Sequence, residues 1–383
     1  SWTQRRPPTR TAGTDVRPSE LGSQSVRINR GLDVRVAITG GTGFIGSHCV
    51  AQAVAAGHQV RMLVRNPSKA RATLELHELP PDAVEIREAD LRDHPALRSG
   101  LIGADAVIHS AAVLSLNPLD GRTMQEFNPT STRVILEEST ALGMDPMVYV
   151  STSGAFLPST GEPIGSDTEV STGCGPYTRS KIAAEHIARH YQADGAPVVC
   201  VYPGGVIGPR DPNLELSDSM SLVTTILGRD TALVPGGARL AMVDVRDVAA
   251  VCVGALEPGR GPRRYHVWGA PTSLGEMVGV VNRVTGRDIR LRRLPLFAVD
   301  VGGLLAEVAT RITRRRLPLC VESARLFTQN VRSGGPGVID DGPARTEFGY
   351  PRYDFEKSIT DTLQWLAAAG HLSTAQAGYL APS

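Results

Sequence analysis

The stretch TGGTGFIGSH, from Thr39 to His48, puts four glycines into seven residues. It lies between the apolar run VRVAIT at 34–39 and a segment of helical spacing from about Phe44 to Ala56. So many glycines weaken any regular element, and their place between a strand and a helix asks for a physical reason. An anion held by backbone N–H groups at a helix N-terminus supplies one, because the chain must approach it with no side chain in the way. Gly40 is expected to make the tight turn out of the strand, Gly43 to bring backbone against a pyrophosphate, and Gly46 to let the helix pack on the sheet. Phe44 and Ile45 open that helix. The first glycine interval is one residue longer than in the common dinucleotide fingerprint.

Outward from this point, short β-branched runs return between helical segments: QVRMLV at 59–64, AVEIRE at 83–88, ADAVIHSA at 104–111, MVYVST at 147–152 and PVVCVYP at 197–203. Helical spacing lies between them at 93–101, 123–143 and 175–193. Such alternation implies a parallel sheet covered on both faces, hence an α/β doubly wound Rossmann architecture. After Pro203 the rhythm becomes irregular. The expected division is a disordered tail at 1–33, a nucleotide-binding core at 34–207, a smaller substrate lobe with returning sheet elements at 208–371 and a flexible C-terminus at 372–383.

The second strand bears on which dinucleotide is bound. A carboxylate about 20 residues past the glycines would hold a ribose 2′-hydroxyl, whereas a cation there accommodates a 2′-phosphate. Here the strand ends in Arg65, with Lys69 and Arg71 close behind. NADP is therefore expected over NAD, with NAD kept open.

The chemistry is expected from PYTRSKIAAE, in which Tyr177 and Lys181 stand four apart on one helical face. An ammonium beside a phenol favours the phenolate, bringing a group of intrinsic pKa about 10 toward acid/base work near neutrality. Upstream, VYVSTSGA ends a strand with the hydroxyls of Ser151, Thr152 and Ser153.

Together these motifs resemble the extended short-chain dehydrogenase/reductase family, also described as NAD(P)-dependent epimerases and dehydratases. The resemblance covers roughly residues 34–370 and rests on an ordered set: TGGTGFIG, Asp90-Leu91, VIHSAA, the serine strand, Tyr177-x-x-x-Lys181, YPGGVIGP and VDVRDVA. It implies Tyr177 as catalytic acid/base, and Lys181 as the residue that lowers its pKa and binds the nicotinamide ribose. It implies Ser153 as the hydroxyl that polarises the substrate, with Thr152 as fallback, and Asn128 as the family's helix asparagine. Asp90 and Leu91 would contact adenine, and Ala111 and Ala112 would flank the cofactor. Pro203, Gly205 and Val206 would hold the nicotinamide carboxamide. The family commonly has Arg before that proline, where this chain has Tyr202.

Relatives similar in overall pattern are dihydroflavonol-reductase-like, 3β-hydroxysteroid-dehydrogenase-like and sugar-epimerase-like proteins. They imply hydride transfer between nicotinamide and a secondary alcohol or ketone. The runner-up is a nucleotide-sugar epimerase with tightly bound NAD, and a third alternative is a non-catalytic NADP-sensing protein. Dehydratases of the family usually carry an Asp-Glu pair where this chain reads Thr152-Ser153-Gly154.

A formal net charge of +1 on 383 residues gives no bulk attraction to nucleic acid or anionic lipid. The five cysteines are far apart, without ligand or disulfide spacing, so a reducing, cytoplasmic setting and no metal are expected. The run 294–316 places Phe297, Val301, Leu304, Leu305, Val308 and Ile312 on one helical face. It is expected to cap a substrate lobe for a hydrophobic alcohol or ketone. Attachment to a membrane surface, aided by Arg314, Arg315 and Arg316, is the lesser alternative. A homodimer is left open.

Overall fold

The computed structural model describes residues 33–157, 163–213, 218–315, 317, 319–334 and 337–381. The expected tail, apart from Asp33, lies outside the described residues, as does Arg316.

The first half alternates β1 (Arg35–Thr39), α1 (Phe44–Ala55), β2 (Gln59–Val64), α2 (Pro67–Leu76), β3 (Val84–Glu88), α3 (His94–Leu101), β4 (Ala106–His109), α4 (Gly121–Ala141), β5 (Met147–Val150), α5 (Pro176–Ala193) and β6 (Val198–Pro203). The second half follows with β7 (Gly205–Ile207), α6 (Asp218–Leu227), β8 (Thr231–Pro235), β9 (Arg239–Asp244), α7 (Val245–Gly254), β10 (Arg263–Val267), β11 (Pro271–Ser273), α8 (Leu274–Thr285) and β12 (Arg290–Leu294). It ends with α9 (Leu296–Thr313), α10 (Val321–Arg332), α11 (Gly342–Phe348), α12 (Phe355–Ala368) and α13 (Thr374–Ala377).

Seven parallel strands form the central sheet in the order β10-β6-β5-β4-β1-β2-β3. The chain runs outward from β1 to β3 and then crosses to β4. The order therefore reverses beside β1, where Thr39 has Leu63 on one side and His109 on the other. An open parallel sheet leaves its ligand crevice at that switch point, beyond the carboxyl ends of the strands. Side chains alternate between two cores: Val36 and Ile38 enter one, and Ala37 enters the other.

The lobe is built on a second scale. β11, β9 and β7 form a three-stranded sheet, β12 pairs with β8, and a third core gathers Ile207, Val223, Met277, Val281, Ile359 and Leu363. Asp244 caps α7 by accepting from Arg246 N at 2.8 Å, and its other oxygen accepts from Ser358 on α12 at 2.7 Å. β10 rejoins the central sheet beside β6. The C-terminal segment forms α13 and the turn Gly378–Leu380, with Leu372 and Leu380 packed on the lobe core.

The orientation of α9 departs from the expectation. Its buried positions are Val299, Gly303 and Thr310, while all six residues of the apolar stripe are exposed, from 46% at Val308 to 77% at Ile312. Close packing on α10 explains the choice, since a Cβ at Gly303 would lie 2.7 Å from Ala324 Cβ. The helix presents its small residues to the protein and its large ones outward.

Candidate active site

The turn out of β1 is shaped by contact distances. Gly40 has φ +73°, and a Cβ there would come within 2.5 Å of Ala111 N and 2.7 Å of Ser110 Oγ. A Cβ at Gly46 would collide with the Gly40 carbonyl oxygen and Ser110 Oγ. Gly43 donates its N–H to Gly40 O at 2.8 Å and stands at the N-cap of α1 in extended conformation. No side chain caps α1 and its first turn carries no acid. Its leading N–H groups, at Phe44 and Ile45, are thus left for an outside anion. This cradle, which added Cβ atoms would fill, fits a dinucleotide pyrophosphate. Across it, Ala111 is half-buried and Ala112 exposed.

A strap closes one side of the cradle. In the loop after β7, Asn213 donates to Thr42 O at 2.7 Å, and the Pro209 carbonyl meets His48 Nε2 at 3.0 Å. Arg210 pairs with Glu78 at 2.6 Å. Lys69 donates to Asn213 Oδ1, so its ammonium is directed to this strap. Arg65, exposed just past β2, has no hydrogen-bond or ion-pair partner among the described residues. Asp90, past β3, holds Arg92 at 2.6 Å, and that hydrogen bond lowers its carboxyl to about 2. Leu91 is buried in the core.

Helix α5 carries Tyr177 and Lys181. Tyr177 is half-buried, while Lys181 is 3% exposed, donates Nζ to Val150 O at 3.0 Å and lies 4.9 Å from the Tyr149 ring centroid. Burial lowers its ammonium from 10.5 to about 8, opposed by nearby Glu185. It is therefore protonated at neutral pH. One turn further on, fully buried Glu185 accepts from Ser151 Oγ at 2.8 Å, Tyr202 OH at 2.6 Å and Arg189 Nε at 3.0 Å. Tyr202, standing where relatives commonly have Arg, is thus bound to the helix that carries Lys181.

The head of α5 is held from the other half of the chain. Glu322, on α10, accepts Tyr177 N at 3.0 Å and Thr178 N at 2.9 Å. Gly175 makes room, because a Cβ there would strike the Glu322 side chain. Asn128, 2% exposed on α4, binds both backbone groups of Val113 and donates to Ser180 Oγ at 2.9 Å. Ser180 in turn donates to Tyr177 O at 2.7 Å. Asn128 fastens the loop after β4 to α5 and touches no outward surface.

The three strand-end hydroxyls fare differently. Ser153 is 1% exposed, donates to Tyr202 O at 2.8 Å and accepts the Trp268 indole N–H. Ser151 is committed to Glu185. Thr152 is half-buried, and its oxygen accepts Gly154 N at 3.1 Å. Pro203 is buried at the end of β6, and Gly205 and Val206 run half-buried along β9, opposite Met242 and Val243. His109 is enclosed against Thr39 Oγ1 at 2.7 Å, and burial lowers it to about 3, so it is neutral.

The sequence pattern of the NAD dependent epimerase/dehydratase family matches residues 36–267. The chain belongs to that family. It is an NAD(P)-dependent enzyme of the extended short-chain dehydrogenase/reductase type. Similar proteins include sterol demethylase protein B of Methylococcus capsulatus, 28% identical over 87% of this chain and 98% of that one. Another is 4-hydroxy-2-methyl-3-oxo-4-farnesyl-3,4-dihydroquinoline-1-oxide ketoreductase of Stigmatella aurantiaca, 26% identical over 88% and 98%. Among solved structures, gox2253 superposes with a TM-score of 0.71 at 24% identity, covering 89% of this chain and all of that one, which speaks for the fold.

The strap Lys69–Asn213–Thr42, Glu185, Trp268 and Glu322 were not anticipated from sequence, and Tyr202 stood out there only as a departure from the family's arginine. A signal existed only for Glu185, which continues the Tyr177, Lys181 spacing by one more turn of α5.

Proposed function

We propose that this protein is an NADP-linked reductase or dehydrogenase acting on the carbonyl or carbinol carbon of a hydrophobic ketone or secondary alcohol. The observation that carries the reading is α5, which sets a half-buried Tyr177 one turn before a buried, protonated Lys181 whose Nζ reaches Val150 O at the end of β5. When bound, the nicotinamide cofactor supplies a hydride to the carbonyl carbon or takes one from the carbinol carbon. In reduction Tyr177 gives its phenolic proton to the carbonyl oxygen, and in oxidation its phenolate takes that proton back. The ammonium of Lys181 stabilises the phenolate between these events. With the Ser153 proton held by the Tyr202 carbonyl, Thr152 is the hydroxyl of the run left to polarise the substrate oxygen. Gly40, Gly43 and Gly46 with the N-terminus of α1 bind pyrophosphate, Asp90 and Leu91 border the adenine, and Ala111, Ala112, Pro203, Gly205 and Val206 border the nicotinamide. Arg65 receives the 2′-phosphate. The sterol and farnesyl-quinoline names of two relatives support an apolar substrate.

The test is turnover of sterol-like and flavonoid-like ketones and of nucleotide sugars, with NADPH and with NADH. Tyr177→Phe removes the mobile proton and leaves the ring, so turnover should fall on the order of 100-fold while cofactor binding persists. Activity confined to nucleotide sugars, with NAD copurifying, would make the protein an epimerase. Cofactor binding with no turnover of any of these would favour the sensor.

A further inference from the structure

Among the described residues, six of the exposed large hydrophobic side chains gather on the outward face of α9. Phe297, Val301, Leu304, Leu305, Val308 and Ile312 form one stripe, diametrically opposite the buried Val299, Gly303 and Thr310. Leu317, just beyond, is 41% exposed.

The charges around the stripe narrow what can cover it. From Arg290 to Arg315 there are six arginines and two acids. Both acids are occupied: Asp300 by Arg332 at 2.5 Å and Glu307 by Arg311 at 2.8 Å. Arg292 and Arg293 precede the helix, Arg314 and Arg315 follow it, and all four are exposed without an ion-pair partner among the described residues. The stripe is therefore cationic at both ends. A second copy laid on it would set arginines against arginines in either helix direction, which disfavours self-association.

We propose that α9 docks the protein on an anionic lipid surface, lying in the plane of the interface with its apolar stripe among the acyl chains and its terminal arginines on the headgroups. A helix of 18 residues with a broad apolar face and basic ends suits this position. No helix among the described residues is long and apolar enough to cross a membrane. α9 also packs against the short turn Pro118–Asp120 that leads into α4, so docking brings the bilayer beside the loop that follows β4. The inference goes beyond the reductase reading and does not rest on it, because binding is measured without substrate.

The experiment is cosedimentation of the full chain with vesicles of equimolar phosphatidylglycerol and phosphatidylcholine, and with phosphatidylcholine alone. Wild-type protein should partition into the anionic vesicles, more weakly into the neutral ones, and lose the difference at high salt. Leu305→Asp with Ile312→Asp should lower the partition coefficient by a factor of about 10 or more. Neutralising Arg292, Arg293, Arg314 and Arg315 with Gln should cost roughly fivefold for each charge removed. These positions are exposed, so folding and nicotinamide-cofactor binding should be unchanged in both variants. Absence of vesicle binding, or binding unaffected by either variant, overturns the proposal. So does concentration-dependent dimerisation in sedimentation velocity that the aspartate variant abolishes, since the face would then belong to a second copy.

Discussion

The carboxylate of Glu322 receives the backbone N–H of Tyr177 at 3.0 Å, although 145 residues separate them in the chain. The same carboxylate takes the N–H and the hydroxyl of Thr178 at 2.9 and 3.0 Å. A negative group at the N-terminus of α5 satisfies donors that the helix itself cannot, and it complements the helix dipole. The C-terminal half thereby fixes the position of the proposed acid/base.

Removing that carboxylate should loosen Tyr177 before it unfolds the chain. Glu322→Ala leaves buried N–H groups unsatisfied, at a cost of about 1–3 kcal/mol, measured by denaturant unfolding. Turnover should fall about tenfold with a smaller change in KM, because a displaced tyrosine acts in the transition state rather than in binding. Glu322→Gln, which keeps one acceptor, should recover part of both losses. Gly175→Ala should resemble Glu322→Ala, since its methyl takes the space of the Glu322 side chain.

Opposite pH trends in activity and stability are expected from Lys181. Its folded value of about 8 lies below the 10.5 of the unconstrained side chain. Between these values the unfolded chain binds the proton that the folded chain has released, so stability rises with pH by up to about 3 kcal/mol across the window. Activity should fall in the same window as the ammonium proposed to support Tyr177 disappears. Unfolding midpoints and kcat/KM from pH 7 to about 10 would show both; a flat rate profile removes Lys181 from the mechanism.

The two hydroxyls at the end of β5 should separate by function. Thr152→Val should lower turnover by a factor on the order of 100, with stability little changed. Ser153→Ala should instead cost about 1–3 kcal/mol of stability, as Trp268 loses its acceptor and the Tyr202 carbonyl its donor. The reverse outcome restores the polarising role to Ser153, the residue that the family resemblance implies.

Cofactor choice should turn on Arg65. Lys69 is directed to Asn213, and Arg65 is the cation proposed for a 2′-phosphate. Arg65→Asp should invert the preference from NADP to NAD in fluorescence titrations. Equal or tighter binding of NAD by the wild-type chain would show that Arg65 serves only as surface charge.

Local geometry was legible in the sequence wherever one segment contains the whole reason. The glycines of the first turn, the strand-helix alternation and the Tyr177–Lys181 pair are such cases, because φ preference, periodicity and the i, i+4 relation are properties of neighbouring residues. What required tertiary structure were relations between segments. Glu322 beneath Tyr177, Tyr202 on Glu185 and Asn213 over the glycine turn depend on how distant pieces meet, and no spacing encodes them. Ser153 had the hydroxyl expected of it, but packing with Trp268 and Tyr202 decided where its proton goes. In α9 the period of 3.6 showed two faces, and it could not say which one the protein would bury. That depended on Gly303 and Ala324, whose small size lets two helices approach closely enough to turn the large apolar residues toward solvent.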